Sequence, residues 1–273
     1  MEIKASDILT IKQEELKQYK LHLATWNGTE HPLNVYLESW DRWVGWNKWK
    51  GGKNDFSREY IFSLIQYYHE PNKWLFGGIF KVISRQGDSY ELELQPLHEN
   101  LIGRLLIDFH RYQGMRGRAY YLENYFDKFT VSELLSEKYN GEKFPGYEQI
   151  NIDFIDLAHI YKNQKNDWKT ALQNIKGVYV IFDKSNGKKY VGSAYGDTGI
   201  WSRWNVYVNN GHGWNDELTQ IINTHGLDYA KKNFRFVLLE YRPMRTDDSV
   251  IIERESYWKE ALLSRGVFGY NKN

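Results

Sequence analysis

The sequence predicts an α+β fold in two domains: a β-rich, barrel-like part over residues 1–160, then a linker helix and a small antiparallel sheet flanked by helices over 161–273. Three observations lead there. A length of 273 residues suits one large domain or two ordinary ones, and 41% apolar with 16% aromatic residues supplies packed cores. From Leu21 to Leu94 the apolar residues tend to alternate, the pattern of half-buried strands. Beyond Phe154 helical periods take over, interrupted by one strand–turn–strand phrase and one further strand.

Taken in order, residues 1 to about 20 read as a short amphipathic helix, with Ile8, Leu9 and Ile11 ahead of the polar run KQEELKQ. The segments KLHLATW, LNVYLESW, YIFSLIQYY, WLFGGIFKVI and SYELELQPL are expected strands, separated by Gly, Asn and Pro clusters. GRLLIDFHRY and GRAYYLENYF add two more, joined by the loop QGMRG. FTVSELLSEKYNG reads as a helix opened by Thr130 or Ser132, with Gly141 beyond its end. FIDLAHIYKNQKNDWKTALQNIKG is helical in period and crosses the boundary expected near residue 160. The last part reads as strand GVYVIFD, turn KSNGK, strand KYVGSA, a helix from near Ile200, a helix from Asp216 to His225, strand FRFVLLEY and helix DSVIIERESYWKEALLS.

Composition narrows the chemistry. With no cysteine, thiolate metal sites, cysteine nucleophiles and disulfides are excluded together, so a metal here is held by oxygen or imidazole and Mg²⁺ or Mn²⁺ is the expected cofactor. The start MEIKASDILTIKQEELK lacks the plan of a signal peptide, and no run of about 18 apolar residues exists, so no membrane partner and a cytoplasmic location are expected. A formal charge of +1 means that any contact with nucleic acid depends on local clusters of Arg and Lys. Eleven Trp and twenty-one Tyr exceed what packing alone requires.

In GVYVIFDKSNGKKYVGSA the turn signal SerAsnGly puts Tyr179 and Tyr190 on neighbouring strands, where they can share a face. A strand tyrosine is either a packed aromatic or, with a cation beside it, a proton-transfer group. Arg203 and Tyr207, four apart, lie on one face of a helix, as a solvated edge or as a phosphate clamp backed by a phenol. Ile251, Ile252, Trp258 and Leu262 mark a buried stripe, with Glu255 at its edge and Glu253 pointing elsewhere. A carboxylate so placed calls for a metal or a base as partner. His212, alone in the glycine-rich NNGHGWN, is expected to be solvated.

In combination GVY, ten residues, YVG-S-A, then Arg203 with Tyr207, IIERESYWKE and GYN resemble the GIY-YIG nuclease family, most closely the catalytic domains of phage homing endonucleases, over residues 177–271. The resemblance implies that Tyr179 takes a proton from the attacking water and that Tyr190 supports the geometry of attack. It implies that Arg203 binds the scissile phosphate, that Tyr207 fills a place held by Tyr or His in relatives, that Glu255 is the single metal-ligating carboxylate, and that Asn271 orders the site. Val178 and Val191 stand where the family has isoleucine, and YGDTGIWS is longer than the matching stretch in short relatives.

In the amino-terminal part, Trp40, Trp43, Trp46 and Trp49 recur at every third position, either as helix packing or as an aromatic cage for a flipped base. With WLFGGIFKVI they are faintly similar to the PUA-like barrels, including the EVE and SRA-type readers of modified bases. Trp43, Trp46 and Trp49 are therefore candidate base contacts, and Arg104, Arg111, Arg116 and Arg118 candidate phosphate contacts. The expected function is a metal-dependent endonuclease acting on double-stranded DNA, a restriction enzyme whose first domain recognises modified cytosine, with dimerisation on DNA as one route to double-strand cleavage. The rivals are a sequence-specific or homing-type enzyme on unmodified DNA and a nucleic-acid-binding protein that has lost activity.

Overall fold

The computed structural model describes residues 2–197 and 199–272. The chain divides into two compact units, one up to Tyr139 and one from Asn140 onward. The division thus falls earlier than the expected residue 160, because the strand and helix between 151 and 162 pack into the second unit's sheet and core.

The first unit opens with two single 3-10 turns, Ala5–Asp7 and Leu16–Gln18, and not with the expected helix. Its apolar residues Ala5, Leu9, Ile11 and Leu16 are buried in the first unit's core from these turns and the loop between them. The elements that follow are β1 (Tyr19–Ala24), α1 (Pro32–Glu38), α2 (Trp40–Lys48), β2 (Tyr60–Gln66), β3 (Lys73–Ser84), β4 (Glu91–Leu94), β5 (Leu105–Asp108), β6 (Ala119–Tyr121) and β7 (Thr130–Leu134). They form a curled half-barrel in the order β6-β1-β2-β3-β5-β7, with β4 on β3. All pairs are antiparallel except β1 with β2.

Two expected elements change type. LNVYLESW is helix α1, since Pro32 occupies its first turn and Ser39, beyond its end, caps α2 by accepting from Asp41 N and Arg42 N. FTVSELL is strand β7, where Thr130 and Val131 pair with Asp108 and Ile107 of β5.

The Gly77–Gly78 pair of β3 marks a bulge, Ser63 facing Gly78 and Leu64 facing Phe76. A Cβ on Gly77 would lie 2.5 Å from the Trp43 ring, and Trp43 Nε1 donates to Gly77 O at 2.9 Å. Trp43 is therefore a fully buried anchor of α2 on the sheet. Beneath it His22 Nδ1 lies 2.8 Å from Asn47 Oδ1 and 3.0 Å from Ser63 Oγ, while Asn47 Nδ2 donates to Trp43 O at 2.9 Å. Burial depresses the His22 pKa to about 3, so the imidazole is neutral.

The second unit contains β8 (Asn151–Asp153), α3 (Phe154–Lys162), α4 (Asn166–Gln173), β9 (Ile175–Asp183), β10 (Lys189–Ala194), α5 (Gly199–Asn210), α6 (Asp216–His225), α7 (Leu227–Asn233), β11 (Phe234–Pro243) and α8 (Asp248–Ala261). Its antiparallel sheet runs β10-β9-β11-β8. Within YGDTGIWS, α5 already begins at Gly199, and Thr198 lies outside the described residues.

Alternation along β9 assigns the two faces. Tyr179 and Ile181 join the larger core with Trp204 and Tyr207 of α5, whereas Val178 and Val180 pack with Val191 and Ile251 against α8. Ile252, expected in the buried stripe of α8, is instead exposed. Asp183, at the end of β9, accepts from the hydroxyls of Tyr270 at 2.7 Å and Tyr229 at 2.8 Å. That carboxylate ties the hairpin turn to the carboxy-terminal tail and to α7. Among the described residues no helix is long and apolar enough to cross a membrane.

Candidate active site

The site is built around β10, the edge strand of the second sheet. Register places Gly192 opposite Tyr179, so Tyr190, Gly192 and Tyr179 share the face toward α5. A Cβ on Gly192 would stand 2.7 Å from the Tyr179 hydroxyl and 2.8 Å from the Tyr190 ring. Glycine in the phrase YVG is thus a matter of space, since the two phenol rings close over its bare Cα.

One turn of α5 brings Arg203 and Tyr207 under the same strand pair. Arg203 Nε donates to the Tyr179 hydroxyl at 3.1 Å and Nη2 to the Tyr207 hydroxyl at 3.2 Å, and the Tyr179 hydroxyl donates to that of Tyr207 at 3.2 Å. The guanidinium also lies over the Tyr207 ring, 5.0 Å from its centre. Both tyrosines are fully buried, and Tyr190 nearly so. Burial pushes the Tyr179 and Tyr207 phenols above their ordinary values, and Arg203 only partly offsets it, so both are neutral hydrogen-bonding groups here.

The opposite face of β10 contributes Ser193, whose hydroxyl donates to Glu255 Oε2 of α8. Lys259 Nζ lies 2.7 Å from Glu255 Oε1, one helical turn on, and both side chains are largely shielded. A cleft of about 470 Å³ unites the two faces across the strand edge, lined by Tyr190, Ser193, Arg203, Val206 and Glu255 among others.

Asn271 is placed beside this cleft by the tail. Its Nδ2 donates to Val191 O and its Oδ1 accepts from Val191 N, both at 2.8 Å, so the side-chain amide completes the open edge of β10 as a neighbouring strand would. Tyr270 N donates to Lys189 O at 2.9 Å. The tail therefore covers the first half of the edge and leaves the stretch from Gly192 to Ala194 to the cleft.

Of the six expected site residues, Tyr190, Arg203 and Glu255 line the cleft, Tyr179 and Tyr207 lie fully buried behind Arg203 and bonded to it, and Asn271 holds the β10 backbone. Ser193 and Lys259, which contact Glu255, are neighbours that sequence reasoning missed. The alternation of YVGSA, which sets Ser193 opposite in face to Tyr190, and the i,i+4 spacing of Glu255 and Lys259 were the signals available. His212, expected in solvent, is buried, with its Nδ1 accepting from Trp214 N.

Among the described residues no cluster of three or more His, Asp or Glu could cage an ion. A lone carboxylate on an open cleft fits the other habit of Mg²⁺, which keeps several waters and takes one or two carboxylates together with substrate phosphate oxygens. Glu255 supplies that carboxylate, and the Lys259 ammonium occupies the position a cation would take.

The amino-terminal candidates fare unevenly. Trp43 is core and Trp46 packs against that core, which removes both as walls of a cage, because their rings are spent on α2 packing. Trp49 is exposed, with the Arg118 guanidinium 4.6 Å over its ring, and Arg118 Nε donates to Asp55 at 2.9 Å. Arg104 is spent on the carbonyls of Leu135 and Asn100. Arg116 is exposed on the loop between β5 and β6. Arg111 lines a pocket of about 170 Å³ with Thr25, Gln66, Tyr68, Asn72 and Trp74, where the strands β1, β2 and β5 end.

A family profile described as the GIY-YIG catalytic domain matches residues 175–271. Two solved structures resemble this region. An alanine-substituted catalytic domain of intron endonuclease I-TevI shares 30% identity, covering 36% of this chain and 94% of its own with a TM-score of 0.29. The catalytic domain of homing endonuclease I-TevI shares 33%, covering 36% and 98%, with a TM-score of 0.28. Among curated proteins none matches.

Proposed function

This chain belongs to the GIY-YIG nucleases through residues 175–271, and from that premise we propose that it is a divalent-metal-dependent endonuclease hydrolysing double-stranded DNA, with its first unit as the recognition domain. The observation that carries the reading is the meeting of Arg203 and Glu255 in one cleft across a strand edge, with the buried Tyr179 hydroxyl bonded to Arg203 behind it, which offers a cation and a carboxylate to a single phosphate.

In this reading Arg203 clamps a non-bridging oxygen of the scissile phosphate with its remaining N–H donors, while Nε and Nη2 stay on the Tyr179 and Tyr207 hydroxyls. Tyr179 orients the attacking water. Burial works against the phenolate that a stored general base would need, so Tyr179 acts as a neutral hydrogen-bonding group. Tyr207 holds that hydroxyl and the guanidinium in register, with the Tyr190 ring packed beside its own, and Asn271 holds the strand. Glu255 would hold the ion, which when bound supplies charge neutralisation for the phosphate and leaving group. Ser193 keeps the carboxylate aimed into the cleft.

The finer reading is a restriction enzyme directed at modified cytosine. It is favoured by the pocket ending β1, β2 and β5, where a ring wall from Tyr68 and the polar groups of Gln66, Asn72 and Arg111 suit an unstacked base. One active site cuts one strand at a time, so a double-strand break takes two copies on DNA or two successive nicks.

The test incubates the protein and its Glu255→Ala variant with Mg²⁺ or Mn²⁺ and matched duplexes carrying plain, methylated, hydroxymethylated or glucosylated cytosine. Cutting lost in the variant supports the nuclease reading, and cutting of a modified duplex alone supports the finer one. Equal, patterned cutting of all four points to a sequence reader. Every duplex left intact overturns both.

A further inference from the structure

The loop from Asn210 to Asn215 joins α5 to α6 and carries a tryptophan that the fold does not use. We propose that Trp214 contacts DNA directly, stacking its indole on a nucleobase next to the phosphate held by Arg203. The proposal rests on the nuclease reading above and adds to it a residue outside the expected site.

Three observations converge. First, the loop packs on Tyr207, the buried phenol that Arg203 contacts. A Cβ on Gly213 would come within 2.3 Å of Cε1 and Cζ of Tyr207, the latter being the carbon that bears the hydroxyl held by Arg203. Trp214 is the next residue. Second, its backbone is held in a conformation that bulky side chains avoid, with φ of 65°. Strain of this kind persists only where surrounding bonds over-determine it, and it gathers at functional positions. Here Asn210 Oδ1 accepts from His212 N at 3.0 Å and Gly213 N at 2.8 Å. Trp214 N donates to His212 Nδ1 at 3.1 Å, and that nitrogen also lies 3.0 Å from Thr219 Oγ1 of α6. Asn215 Oδ1 then caps α6 by accepting from Leu218 N at 3.0 Å.

Third, the indole takes almost no part in this. It is 77% exposed, the most solvent-exposed tryptophan among the described residues, and its ring meets only the edge of His212, 5.1 Å between centres. The network needs the Trp214 N–H alone, which glycine would supply without strain. A rigid frame that presents a large planar ring to solvent, on a loop packed against the residue Arg203 contacts, matches a nucleobase, the planar group that accompanies every backbone phosphate.

The experiment uses a duplex that the wild-type protein cuts, with 2-aminopurine placed in turn at each base flanking the mapped cut. Binding is measured in the Glu255→Ala background, so that no strand is broken. Trp214→Ala is expected to weaken binding by about tenfold or more and to abolish the 2-aminopurine change, whereas Trp214→Phe keeps most of both. Trp214→Gly is expected to melt at or above the parent's temperature yet bind as poorly as Trp214→Ala, a combination a structural role would not produce. Parental binding and an unchanged 2-aminopurine signal in Trp214→Ala would overturn the proposal while leaving the nuclease reading standing. A wild-type protein that cuts no duplex would overturn both.

Discussion

Lys259 Nζ stands 2.7 Å from Glu255 Oε1, so the carboxylate of the cleft is already neutralised by a cation tethered one turn along its own helix. In the proposed mechanism a divalent ion arriving at Glu255 displaces that ammonium. Lys259→Met should therefore lower the half-saturating Mg²⁺ concentration, by about fivefold if the pair is worth about 1 kcal/mol. Titrating cleavage against Mg²⁺, with Tb³⁺ luminescence as a direct binding readout, checks it; an unchanged or raised requirement would refute the displacement.

Arg203 is the single charged donor shared by the two buried phenols. Arg203→Ala is expected to reduce kcat by about 10²- to 10³-fold, the usual cost of a lost transition-state donor. Arg203→Lys should recover little, since one ammonium cannot reach both hydroxyls and a phosphate in the same fork. Single-turnover cleavage with the variants at saturating protein measures this.

Gly192→Ala adds a methyl group 2.7 Å from the Tyr179 hydroxyl, with the Tyr190 ring as close on the other side. Since the strand backbone is ordinary there, the damage falls on the rings and not on the hairpin. The expected outcome is activity down by about 10²-fold or more, with far-ultraviolet dichroism retained. Parental activity would mean that the phenols can shift without consequence.

His22 and His159 are buried, and burial lowers their pKa values to about 3 and about 4. Each binds a proton below about pH 6.5 when unfolded but not when folded. Their stabilising effect is therefore complete above about pH 6.5 and is lost as pH falls toward 4, by up to about 1.4 kcal/mol per pH unit for each. Urea midpoints measured from pH 7 to pH 4 should fall accordingly, and His22→Asn should flatten the slope.

The placing of the carboxy-terminal candidate residues was largely legible because their neighbours are local: a hairpin fixes Tyr179 beside Gly192, and a helical turn fixes Arg203 to Tyr207. What escaped was set by tertiary contact. Leu33, Val35 and Leu37 alternate as a strand would, yet Pro32 and the packing of α1 make them helical. Thr130 to Leu134 carries a helix-opening signal, yet an unpaired β5 edge claims it. Trp43 looked free to receive a base only because the gap left by Gly77 across the sheet cannot be seen in the sequence.

Because the groups on the two faces of the second sheet share one strand, their separation is counted in residues and not only in ångströms. Tyr190 and Ser193 lie three apart and therefore on opposite faces. Losing one residue between them would send one of the two to the wrong side. In a library of single-codon deletions, β10 should then form a sharp minimum of survival, even where each of its aliphatic residues accepts another aliphatic in a substitution library.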